Sequence, residues 1–161
     1  MADRNRLKPV RKVPSRHEDG AVEFNREMAA DVLARTLWGE ARGDGSKGME
    51  AVANVVMNRV RHARKNGGYW WGNSIIDVCQ KPDQFSAWNR RDPNYTKLLE
   101  VDEHDIDFAT AKRIARRAMT GALDDHTRGA THYHAKSASP NWAKGRDPDA
   151  VIGNHMFYKL V

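Results

Sequence analysis

Glu40 stands near the end of Leu33-Ala34-Arg35-Thr36-Leu37-Trp38-Gly39-Glu40-Ala41-Arg42-Gly43, where the spacing gives its carboxyl an unusual setting. Leu33, Thr36 and Leu37 lie seven, four and three residues before it, so a helix that runs this far puts all four on one face. Burial on an apolar face disfavours a carboxylate and raises its pKa, which suits a general acid. The flanking glycines would let a bulky substrate approach the backbone. An exposed glutamate near a helix end fits the same spacing. A glycosidase that uses two carboxyls needs a second acid, and Asp44, Glu50 and Asp92 are the available choices. One acid is enough where the substrate carries its own nucleophile.

Two other chemistries have candidates. His132 and His134 alternate on one expected strand and His155 lies on its expected partner, so three imidazoles could converge as in a hydrolytic zinc site. No HExxH or comparable ligand spacing accompanies them, and the expectation is no metal and no other cofactor. Nucleic-acid binding is suggested by pI 9.6 and by the clusters Arg59, Arg61, Arg64, Lys65 and Lys112, Arg113, Arg116, Arg117. Acidic residues surround both clusters and no recognised module fits, so they read as solvated helix faces without a specific nucleic-acid partner.

The elements that must position Glu40 are mostly helices. Asn25 is placed to cap a first helix with the stripe Met28, Val32, Leu33 and Leu37, ending near Gly39 to Gly43. Ser46 would cap a second helix, with Met49, Val52, Val55, Val56 and Val60 as its stripe. Glu40 then sits at the joint of a helical hairpin. Asn54, Asn58 and Arg59 are polar residues in that otherwise apolar helix, and Asn54 and Asn58, four apart, either face the site together or lie on the surface. Residues 66–95 read as loop around a short helix capped by Ser74, with Tyr69, Trp70, Trp71, Phe85, Trp88 and Tyr95 available as core or as sugar-stacking surfaces. A further helix starts at Asp105 or Asp107 and runs to Met119, with Ile106, Ala111, Ile114, Ala115 and Ala118 apolar and Gly121 as its stop. Residues 130–135 and 155–160 read as a small antiparallel pair. The expected fold class is therefore α+β, mainly helical, with a small antiparallel β element near the C-terminus.

The chain of 161 residues suits one domain with a real core. Its hydrophobic fraction of 40% and charged fraction of 30% are ordinary for a globular protein. The net charge of +6 is concentrated at the start, where six basic side chains between Arg4 and Arg16 face Asp3 alone. With Pro9 and Pro14 there too, residues 1–22 read as a basic, flexible tail suited to polyanions, and residues 23–161 as the catalytic domain. Cys79, the single cysteine, reads as a small core residue. The sequence shows neither an apolar signal core nor a membrane-length run, so the expectation is synthesis in the cytoplasm.

Five ordered blocks resemble the SleB-like cell wall hydrolases, the family of the spore cortex-lytic enzymes. They are the Glu40 segment, Gly48 to Val60, Gln84-Phe85-Ser86, Gly129-Ala130-Thr131-His132-Tyr133-His134 with Pro140-Asn141-Trp142-Ala143, and Ile152-Gly153-Asn154-His155-Met156-Phe157-Tyr158. The resemblance implies a lysozyme-like, lytic transglycosylase-like domain that cleaves peptidoglycan between N-acetylmuramic acid and N-acetylglucosamine. It places the catalytic glutamate on Glu40. Gln84, Phe85, Ser86, Thr131, His132, Tyr133 and Trp142 would contact the sugars, and Asn54, Asn58 and His155 would hold the site from behind. Without an export signal or a wall-binding repeat, the chain looks more like a phage or prophage endolysin than a spore enzyme. It would act as a monomer on the wall in the periplasm, after release through a membrane lesion, and its tail would attract anionic lipid or lipopolysaccharide. A hydrolytic muramidase, a zinc-dependent amidase and a basic binding module for wall polymer or nucleic acid are the alternatives.

Overall fold

The computed structural model describes residues 16–161, and residues 1–15, with most of the expected basic tail, lie outside the described residues. Five α-helices and a three-stranded sheet follow in the order α1 (Arg16–Ala41), α2 (Gly45–Lys65), α3 (Ile75–Gln80), α4 (Tyr95–Glu100), α5 (Ile106–Met119), β1 (His132–Ala135), β2 (Ala150–Ile152) and β3 (His155–Tyr158). The mainly helical α+β reading holds.

Helix α1 starts at Arg16, ahead of the Asn25 cap the sequence suggested, which places Asn25 inside the helix. Residues 20–28 are exposed, so these roughly two and a half turns ahead of the core carry no buried stripe for a periodicity argument to detect. From Ala30 onward the apolar pattern works as expected: Leu33, Thr36 and Leu37 are all fully buried. The helix ends at Ala41, a single 3₁₀ turn (Arg42–Asp44) follows, and α2 begins at Gly45, which makes the hairpin joint. The expected Ser46 cap is not used, because α2 begins before it with Asp44 at the cap position.

The stripe of α2 is buried along its whole length, from Met49 to Val60. Ser74 caps α3 by accepting from the Asp77 N–H at 3.1 Å, and Asp105 caps α5 by accepting from the Phe108 N–H at 2.9 Å. On α5 the expected apolar face needs one correction. Ile106 is 82% exposed, and Phe108, three residues before Ala111, supplies the large buried side chain instead. Cys79 is buried, as expected. Arg116 is exposed and lies 3.3 Å from Glu27, as a solvated helix face would have it, but Lys112 is buried at 8% exposure with Asp31 3.5 Å from its ammonium, which corrects that reading there. None of the described helices is long and apolar enough to cross a membrane.

The sheet has the order β1-β3-β2, both pairs antiparallel. The expected β1/β3 pair forms in the register His132↔Tyr158 and His134↔Met156. Strand β2 was not legible, since three residues inside a glycine- and proline-bearing loop show no alternation.

One carboxylate ties the sheet to the helical hairpin. Asp44 accepts from the Asn154 N–H at 3.2 Å and Nδ2 at 3.1 Å, and its Oδ2 lies 2.6 Å from His155 Nδ1. Gly153 turns beneath it at φ 56°, and a Cβ there would come within 2.7 Å of the Asp44 carboxyl carbon. Only glycine serves both the backbone angle and the space. Asp44→Ala should lower the thermal midpoint by about 5–10 °C, because three donors lose one nearly buried acceptor. Differential scanning calorimetry checks this; an unchanged midpoint would show that the clamp is not structural.

Candidate active site

Gly39 allows the site to form. Its missing Cβ would stand 2.7 Å from the Ala87 Cβ, so the 3₁₀ turn Ser86–Trp88 packs directly on α1 one residue before Glu40. Trp88 fastens that turn by donating from Nε1 to Thr36 Oγ1 at 2.9 Å. Gln84, Phe85 and Ser86 are thereby drawn to the end of α1. From the other side the sheet brings His132, Tyr133 and, through the 3₁₀ turn Asn141–Ala143, Trp142.

The result is a cleft of about 300 Å³ lined by Glu40, Arg59, Asp83, Gln84, Phe85, Ser86, His132, Tyr133 and Trp142. A second chamber of about 400 Å³ shares Arg59, Asp83, Gln84, His132 and Trp142 and reaches Trp70, which is 61% exposed. A larger groove of about 860 Å³ lies against Asp44, Lys47, Glu50, His126 and the β2 segment. The smaller cleft is the chemically prepared one. Glu40, Arg59 and Gln84 are the described residues with a buried side-chain polar atom left unpaired, and all three line it.

At Glu40, Oε2 accepts from the Tyr133 hydroxyl at 3.0 Å, while Oε1 is buried without a partner. Burial pushes the carboxyl pKa up, the Tyr133 hydrogen bond, the Ala87 backbone and the charge of His155 partly oppose this, and Asp92 adds to it. Tyr133 in turn has its phenol pushed up by burial and by Glu40, so it donates as a neutral hydroxyl. Its ring stacks on Phe157 at 5.5 Å and meets His155 edge-on at 5.3 Å. His132 is held neutral at pH 7, its pKa lowered to about 4 by burial and by Arg59 and Arg146. The ring lies 5.4 Å from Trp142 and 6.1 Å from Trp71. A protonatable carboxyl facing aromatic walls can deliver a proton to a sugar oxygen.

The expected second carboxyls do not line this cleft. Asp44 is committed to the sheet clamp, Glu50 lies 3.9 Å from both Arg117 and His126, and Asp92 accepts from the Asn94 N–H at 2.8 Å. Asp83, which the sequence reading did not single out, does line it, exposed and at φ 62°. Nothing in its sequence context distinguishes it.

Thr131, expected among the sugar contacts, is buried at 3% exposure. It works from behind, with its carbonyl accepting from Arg59 Nε at 2.7 Å and its hydroxyl 2.9 Å from His132 Nδ1. Asn54 and Asn58 grip the loop that delivers β1. Asn54 donates to the Asp124 carbonyl at 3.0 Å and accepts from the His126 N–H at 3.2 Å, while Asn58 donates to the Ala130 carbonyl at 2.9 Å and to Asp125 at 3.0 Å. The three histidines do not converge. In the observed register His155 pairs with Ala135, on the opposite face of the sheet from His132 and His134. Among the described residues no group of three His, Cys, Asp or Glu side chains is placed to hold a metal ion. Arg59 is the main addition: the sequence marks it as a polar residue in the apolar stretch between Val56 and Val60 and as part of a basic run, and gives it no place in the cleft.

A family model for cell wall hydrolases matches residues 43–158. The chain belongs to that family. This cell wall hydrolase is 27% identical over 158 residues to a spore cortex-lytic enzyme of Halalkalibacterium halodurans, covering 96% of this chain and 39% of the relative. It is 28% identical over 129 residues to a spore cortex-lytic enzyme of Bacillus subtilis, covering 78% of this chain and 36% of the relative. The chain thus spans about two fifths of the length of the curated relatives it matches. Its fold is similar to the crystal structure of the catalytic domain of the Bacillus cereus SleB protein, with TM-score 0.62 and 27% identity over 83% of this chain and 91% of that one. The catalytic domain of the germination-specific lytic transglycosylase SleB from Bacillus anthracis gives TM-score 0.60 and 28% identity over 81% and 93%.

Proposed function

We propose that this cell wall hydrolase cleaves the glycan strands of peptidoglycan between N-acetylmuramic acid and N-acetylglucosamine as a lytic transglycosylase. The observation that carries the reading is Glu40 itself: a carboxyl with a raised pKa, one oxygen unpaired, facing an aromatic cleft with no second buried carboxyl. The description of the Bacillus anthracis relative as a lytic transglycosylase supports it.

Glu40 enters the reaction protonated and gives its proton to the glycosidic oxygen that leaves with N-acetylglucosamine as the bond to the muramyl anomeric carbon breaks. The resulting carboxylate then takes the proton of the muramyl 6-hydroxyl while that oxygen bonds to the anomeric carbon. A 1,6-anhydro ring forms, Glu40 is protonated again, and no water is consumed. The nucleophile is intramolecular, so proximity replaces the second carboxylate. Tyr133 keeps the carboxyl aimed by donating to its other oxygen.

Asp83 gives a second reading some ground, since an exposed carboxylate on the cleft could orient an attacking water. Mass spectrometry of digested sacculi separates the two. Anhydro-muropeptides, about 18 mass units lighter than reducing-end products, are expected throughout because no water is added. Reducing ends carrying ¹⁸O from labelled water would overturn the transglycosylase reading in favour of hydrolysis, and loss of those products in Asp83→Asn would then place the base.

A further inference from the structure

The unpaired atoms of the cleft differ in what they can bond. Arg59 can only donate, and Nη1 is its buried, unpartnered nitrogen. Its side chain is fixed, since Nε is committed to the Thr131 carbonyl and the guanidinium stands 5.3 Å from the Trp71 ring and 5.8 Å from that of Phe85. The residue is 8% exposed, and its pKa of about 10, lowered by burial, leaves it charged at pH 7.

Gln84 offers the complement. Its Nε2 donates to the Val78 carbonyl at 2.7 Å and to the Trp71 carbonyl at 3.1 Å. Two carbonyls facing Nε2 settle the amide orientation, because the flipped amide would set oxygen against oxygen. Gln84 Oε1, buried and unpartnered, is therefore an acceptor. A fixed donor and a fixed acceptor stand in one cleft without bonding each other, and buried polar atoms are seldom left so unless something completes them.

A secondary amide completes both at once, its carbonyl accepting and its N–H donating. We infer that Arg59 and Gln84 read the acetamido group of an N-acetylated sugar. Arg59 Nη1 donates to the acetamido carbonyl, Gln84 Oε1 accepts from its N–H, and the Trp142 ring on the cleft wall takes the methyl. A free amine in its place would set an ammonium against the buried guanidinium, which makes the site reject a de-N-acetylated strand as well as favour an acetylated one. The inference rests on the proposed glycan substrate and adds the feature by which the cleft recognises it.

The test compares kcat/KM on glycan strands before and after enzymatic removal of their N-acetyl groups. Wild type should prefer the acetylated strand by about 10- to 100-fold, the range for a hydrogen bond to a charged group. In Arg59→Lys, which keeps the charge and its repulsion of an ammonium but loses the planar fork, that ratio should fall by about three- to tenfold. Equal rates in wild type, or an undiminished ratio in the variant, would overturn the inference. Should Arg59→Lys not fold, binding decides: Glu40→Gln protein should be thermally stabilised by N-acetylglucosamine tetramer and not by glucosamine tetramer, and equal stabilisation or none would overturn it. If wild type releases nothing from acetylated sacculi while the binding preference holds, the proposed cleavage fails and the acetamido site stands.

Discussion

Glu40→Gln lowers the release of muropeptides from purified sacculi by about 10³-fold, because the amide can neither deliver the first proton nor take up the second. The same substitution should raise the thermal midpoint at pH 7–8. Glu40 has its pKa raised in the folded protein, so below the ordinary carboxyl range both folded and unfolded states are protonated and no penalty arises. As pH climbs through the raised folded value, the folded state must hold a charge that burial disfavours, and stability falls. Glutamine removes that loss. The gain should be on the order of 1 kcal/mol, a midpoint shift of roughly 2–4 °C at neutral pH that vanishes near pH 4. Muropeptide chromatography and scanning calorimetry across pH read both effects. Retained cleavage would remove Glu40 from the chemistry, and a midpoint that falls at neutral pH would contradict its burial in protonated form.

Tyr133→Phe tests how the acid is tuned. The Tyr133 hydroxyl bonds Glu40 Oε2 and lowers its pKa against the dominant effect of burial. Removing the hydroxyl lets burial act with less opposition, so the Glu40 pKa rises further. Since the acid must be protonated to begin the reaction, the alkaline limb of kcat/KM should move to higher pH as that charge-assisted hydrogen bond is lost. The rate at the optimum should fall by about tenfold, as the carboxyl loses the contact that aims it. A limb that stays put or moves down would place the titrating acid elsewhere. A ring that merely packs would change stability without moving the limb at all.

Much of this site was readable because its pieces are local. The apolar positions before Glu40 repeat at helical spacing, and the structure buries Leu33, Thr36 and Leu37 on the face that spacing specified. Gln84, Phe85, Ser86, His132, Tyr133 and Trp142 were named from ordered blocks, and they line one cleft with Glu40. Histidine alternation in β1 was equally visible, yet it invited a three-imidazole centre that a register of Ala135↔His155 forbids. Register across a 19-residue gap is set by how β3 fits between β1 and β2 and by the Asp44 clamp, and neither is a property of either strand alone.

Arg59, Asp83 and Thr131 show where local reading stops. Each has an unremarkable setting in the chain: a basic run, a loop aspartate, a strand-edge threonine. Arg59 became a cleft residue only when α2 packed beneath β1 and its Nε found the Thr131 carbonyl, 72 positions away. The sequence by itself determined α1, α2, α3 and α5, the hairpin joint that carries Glu40, and strands β1 and β3, because hydrophobic periodicity acts over a few residues; α4 and β2 are too short to show one. Tertiary structure alone decided which polar atoms are left unpaired around Glu40, since burial and orphaned hydrogen-bonding groups arise only when segments distant in the chain close over one another and exclude water.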